Sequence, residues 1–222
     1  MKCCDPAVSV GQKTLGLSLH NNTFFGRILA RLPFLELIIM DSISLGTLPI
    51  EDMASRHTGL TPAIANCYAE AAKVCLDRHH TPPKKFSIQK DSLQSIALVS
   101  WDSTNNRIRN AWANDDDATR DGAYACALAA VELRCQMVAI RRAETLTGSD
   151  YYIGSPDKTY FDLEDCYRLE VSGVDKGNDA EINRRLKQKV FQAAHGRSNL
   201  PALACVVGFK IGRIVLQSVG ML

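Results

Sequence analysis

From residue 60 onward the apolar positions switch between a helical and an extended period. In residues 60–79, LTPAIANCYAEAAKVCLDRH, apolar side chains recur at Ile64, Cys67, Tyr68, Ala71, Ala72 and Cys75, the spacing of one face of a helix. Thr61 is the expected N-cap and Pro62 the first helical residue, and His79, His80, Pro82 and Pro83 end the segment. Residues 95–101 (SIALVSW) and 107–112 (RIRNAW) read as the arms of a β-hairpin around Asp-Ser-Thr-Asn-Asn. Asp115, Asp116 and Asp117 precede an alanine-rich run. A helix is therefore expected over about 117–135, with these acids at its cap and positive dipole end.

Three extended segments follow: 137–144 (MVAIRRAE), 150–154 (DYYIG) and 166–172 (CYRLEVS). A turn at 145–148 joins the first two, and a polar loop joins the last two. Residues 181–194 form an amphipathic helix with Ile182, Leu186, Val190 and Ala193 on one stripe, stopped by Gly196. Residues 202–209 (ALACVVGF) are almost continuously apolar, as a strand buried on both faces should be. Residues 213–219 (RIVLQSV) are expected to add an edge strand.

The 222 residues are 46% hydrophobic and 23% charged, enough for one substantial core with appendages. A formal net charge of +2 argues against a wholesale polyelectrolyte binder but leaves local patches open. The eight cysteines include no C-x-x-C and no Cys/His cluster, which speaks against a zinc site or a disulfide framework and for a reducing cytoplasm. The most apolar stretch, residues 23–40, is broken by Arg27, Arg31, Pro33 and Glu36. It therefore reads neither as a membrane span nor as a signal peptide. Residues 1–39 are expected to be an upstream extension or flexible arm, 40–114 an N-terminal helix plus hairpin region, and 115–222 the core.

The candidate chemistry starts from carboxylates. Strand alternation puts Tyr167, Leu169 and Val171 on one face of CYRLEVS, and Arg168, Glu170 and Ser172 on the other. If the preceding strand pairs antiparallel, Asp150 at its start converges with Glu170. Two carboxylates held close repel unless a proton or cation intervenes, and Mg²⁺ (or Mn²⁺) suits such oxygen ligands. Arg185, Lys189 and Gln192 lie at i, i+4 and i+7, a ridge beside the apolar stripe. On the first core helix Asp121 and Glu132 share nearly one helical angle, and Glu132 lies nearer the strand it feeds. From Ile182 onward the chain carries Arg184, Arg185, Lys187, Lys189, Arg197, Lys210 and Arg213 without an Asp or Glu, a segment suited to a phosphate backbone. Structural alternatives stand beside each residue: Glu170 on a wet strand face paired with Arg168 or Arg142, Asp150 as a turn residue, Lys189 as a solvated helix charge.

The order α-β-β-β-α-β over residues 117–209 resembles the common core of the PD-(D/E)XK nucleases, a restriction-endonuclease-like α/β fold. In that family an acid begins the second core strand, a Glu/Asp-x-Lys follows on the third, and an acid from the first helix often joins them. Gly148-Ser149-Asp150 stands at the first of these positions, Leu169-Glu170-Val171-Ser172 at the second, and Glu132 is the helix acid. Ser172 occupies the lysine position; the family tolerates a lysine moved to the following helix, where Lys189 stands. The resemblance implies a metal-dependent nuclease acting on DNA or RNA. Asp150, Glu170 and Glu132 would ligate Mg²⁺, Lys189 would be catalytic with Asp150 and Glu170, and Arg185, Lys189, Gln192 and Arg197 would contact nucleic acid. The alternative is an inactive nuclease-fold protein that binds nucleic acid or assembles with a protein partner or second copy, without a membrane, in a defence or repair system.

Overall fold

The structure is a computed structural model and describes residues 43–220; the expectation for residues 1–39 lies outside them. Four α-helices and eight β-strands are present among the described residues. The strands are β1 (Ile43–Thr47), β2 (Lys84–Lys90), β3 (Leu93–Val99), β4 (Val138–Arg142), β5 (Tyr151–Gly154), β6 (Tyr167–Val174), β7 (Ala202–Gly208) and β8 (Arg213–Val219). The helices are α1 (Pro62–Asp77), α2 (Asn106–Ala111), α3 (Asp115–Cys135) and α4 (Asp179–Ala194). All eight strands join one mixed sheet in the order β1-β3-β2-β8-β7-β6-β5-β4. The fold is thus mixed α/β.

β4, β5 and β6 form an antiparallel meander, β7 joins β6 in parallel through α4, and β8 returns antiparallel to β7. Side-chain alternation along β7 separates two cores. Leu203, Cys205 and Val207 pack with Leu169 and Val171 of β6 beneath the buried face of α3 and residues of α1. Ala202, Ala204 and Val206 pack with Ile182, Leu186 and Ala193 of α4. Every residue of β7 is buried, as its unbroken apolar sequence requires. No helix of the described residues is long and apolar enough to cross a membrane, and their six cysteines are free thiols.

The capping logic holds at α1, where the Thr61 side chain accepts from the Ile64 N–H and Pro62 opens the helix. At α3 the cap is Asn114, whose side chain accepts from the Asp116 and Asp117 N–H groups, and the three aspartates fill the first turn. The expected hairpin is displaced. Its arms are β2 and β3, with Asp91 in a left-handed conformation at the turn, and 106–111 is helix α2, capped by Asn105. β8 is not an edge strand, because β2 pairs with it in parallel on its far side.

Candidate functional site

The β5–β6 ladder aligns Tyr151 with Leu169 and Tyr152 with Arg168. One residue further out, the Asp150 N–H donates to Leu169 O, so Asp150 stands level with Glu170 at the end of β5. Its Oδ2 accepts from the Val171 N–H at 2.8 Å, a backbone donor just past the end of the ladder. Its Oδ1 accepts from the Tyr124 hydroxyl of α3 at 2.7 Å and from Arg142 at 3.3 Å. Burial, then the Asp150 charge, pushes the Tyr124 phenol up, which keeps it a donor.

Glu170 points to the α4 side and is 3% exposed. Lys189 Nζ donates to its Oε1 at 2.6 Å and to Gln192 Oε1 at 3.1 Å. Burial first, and the nearby Asp150 charge second, push the Glu170 carboxyl up to about 7 against the pull of Lys189. A buried acid is disfavoured in its charged form, and a like charge adds to the effect.

These groups line one cavity of about 390 Å³. α3 contributes Asp116, Thr119, Arg120 and Tyr124, the β5 entry Ser149 and Asp150, β6 Glu170 to Gly173, and α4 Arg185, Lys189 and Gln192. The Ser149 hydroxyl and the Arg185 Nε are buried without a hydrogen-bond partner. The turn before Asp150 depends on Gly148, whose φ is +68°; a Cβ there would come within 2.7 Å of Gln192 O. Glycine therefore lets the turn lie against α4.

Asp150, Glu170, Lys189, Arg185 and Gln192 are thus brought together. Glu132 is not. It lies eight residues beyond Tyr124 on α3, about 12 Å along the axis. There its two oxygens are engaged by Arg56 Nε at 2.7 Å and by His57 Nε2 at 3.0 Å. Arg197 also lies away from the cavity lining, its N–H donating to Leu146 O. The alternative partners of Glu170 are occupied elsewhere: Arg168 donates to the carbonyls of Leu200, Thr147 and Ala193, and Arg142 reaches Asp150. Sequence reasoning missed Tyr124, hidden in an apolar helix, and Ser149, which looked like turn material.

Among the described residues no group of three or more His, Cys, Asp and Glu could hold a metal ion. The two carboxylates of the cavity are both engaged, Glu170 by Lys189 and Asp150 by Tyr124, Arg142 and the Val171 N–H; they are the residues that could hold a divalent ion, which commonly takes one or two carboxylates with waters completing its shell. No protein-family model, curated protein or solved structure matches the chain at a significant level.

Proposed function

We propose that the chain is a metal-dependent nuclease built on a PD-(D/E)XK-like core, hydrolysing phosphodiester bonds in DNA or RNA. The observation that carries this reading is the meeting of Asp150, Glu170 and Lys189, from two strands and a following helix, in one cavity. The order α3-β4-β5-β6-α4-β7, with an antiparallel meander and a parallel crossover, supports it.

Asp150 and Glu170 would hold Mg²⁺, which when bound supplies a water of lowered pKa and offsets charge on the phosphate. Tyr124 and the Val171 N–H fix the Asp150 carboxylate, so its oxygens do not reorient as charge develops. Lys189 carries its ammonium from α4 to the position that Ser172 leaves without a cation, where it stabilises negative charge on the phosphoryl oxygens. It also offsets the charge of Glu170 when that group is ionised.

The test is cleavage of labelled single-stranded and duplex DNA and RNA in Mg²⁺, Mn²⁺ or EDTA. The wild type should cleave only with a divalent ion. Asp150→Asn, Glu170→Gln and Lys189→Met should each lose at least about 10²-fold with unchanged circular dichroism. A second reading, an inactive nucleic-acid-binding or assembly subunit, is favoured by Ser172 and by the absence of a third acidic ligand among the described residues. Binding by the wild type without cleavage in either metal would select it.

A further inference from the structure

Beside the carboxylate cavity lies a second, open cavity of about 640 Å³. The two share Ser149 and Gln192 in their linings, so they adjoin along one wall. The second cavity has no acid–lysine pair. Its lining includes Gln192, His195 and Glu144, the last paired with Arg141 and the Tyr152 hydroxyl. His195 stacks on Phe191, with ring centroids 4.0 Å apart, and Phe191 is 65% exposed at the end of α4. The shared wall holds the Ser149 hydroxyl, buried and without a partner, although buried hydroxyls are ordinarily paired.

We infer that this cavity receives an unpaired nucleobase of the nucleotide next to the phosphate in the carboxylate cavity, so that the substrate is single-stranded nucleic acid. The inference rests on the nuclease-site reading for the position of the phosphate, but not on hydrolysis. A base has two apolar faces and a hydrogen-bonding edge. His195, which lines the cavity and is backed by the exposed Phe191 outside the lining, supplies a ring for a face, as aromatic side chains do for single strands. The Ser149 hydroxyl and the Gln192 NH2, whose amide oxygen already accepts from Lys189, supply partners for the edge. A paired base must leave its stack to enter, which costs a few kcal/mol; an unpaired strand avoids that cost.

The experiment measures fluorescence anisotropy of a fluorescein-labelled single strand of about 12 nucleotides, within the usual footprint of such sites. A blunt duplex of the same sequence is measured in parallel, with full-length protein in EDTA. The wild type should bind the single strand at least about tenfold more tightly. Phe191→Ala and His195→Ala should each weaken single-strand binding at least about fivefold, the lower end for losing one stacking partner. They should leave duplex binding unchanged. Equal affinity for both forms, or variants that bind the single strand like the wild type, overturns the inference. If the protein cleaves nucleic acid yet shows no strand preference, the inference fails and the nuclease reading stands. Single-strand preference lost in these variants, without cleavage in Mg²⁺ or Mn²⁺, leaves the inference standing and removes the hydrolysis.

Discussion

Replacing Glu170 by glutamine should make the protein more stable at alkaline pH while removing the proposed cleavage. Glutamine keeps the shape of the side chain and resembles the protonated acid. The folded Glu170 carboxyl sits at about 7 against an ordinary 4.5, a displacement worth about 3 kcal/mol at roughly 1.4 kcal/mol per unit. The folded protein holds this proton more tightly than the unfolded chain. The associated stability is therefore fully present below about 4.5 and lost as pH rises through 7. Integrated between pH 5 and pH 8, the loss is about 2–3 kcal/mol in the wild type and absent in Glu170→Gln. At about 2–4 °C per kcal/mol for a chain of this size, the melting temperature of the variant should gain about 5–10 °C on the wild type across that interval. Thermal unfolding followed by circular dichroism at the two pH values reads the difference directly. Melting temperatures that move in parallel in the two proteins would refute the reasoning, since Glu170 would then ionise without cost in the fold.

Two further substitutions probe the surroundings. Glu132→Gln should leave the proposed cleavage intact but weaken its pairing with Arg56 and the fully buried His57; a loss of about 1–3 kcal/mol is expected, read as a lower melting temperature. Burial holds the His57 pKa below its ordinary value while Glu132 opposes that shift, so stability present above about 6.5 should fall more steeply on acidification in this variant. Gly122→Ala places a Cβ 2.9 Å from the Ala72 backbone. The helix-propensity gain of about 1 kcal/mol should be outweighed by an overpacking cost of about 1–3 kcal/mol as α1 and α3 separate, lowering the urea midpoint.

Elements with a local signature were legible in the sequence. α1 and α4 announce themselves by a polar cap before an apolar stripe, and β7 by six consecutive apolar residues before Gly208. β2 does not. In KKFSIQK only Phe86 and Ile88 are apolar and buried, and its identity as a strand comes from pairing with β3 and the distant β8. β8 was misread for the same reason, since an edge position depends on what arrives from elsewhere in the chain. In the site, Asp150, Glu170 and Lys189 could be placed because strand alternation and helix angle fix the face of each. Glu132 failed because helical angle says nothing of distance along the axis. Tyr124 and Arg142 were invisible as a pair because their link to Asp150 exists only in three dimensions.

The parallel seam between β2 and β8 has a consequence for biosynthesis. Ser87 pairs with Arg213 and Lys90 with Leu216, partners separated by more than a hundred residues. On the ribosome the β2–β3 ribbon emerges early and must wait, one border bare, until the closing strand is made. Such distant pairing slows assembly. Lys84, Lys85 and Lys90, which stud the waiting ribbon, are the residue type that discourages stray strands from docking on a bare border, so the same lysines that obscure β2 in the sequence suit it to that delay.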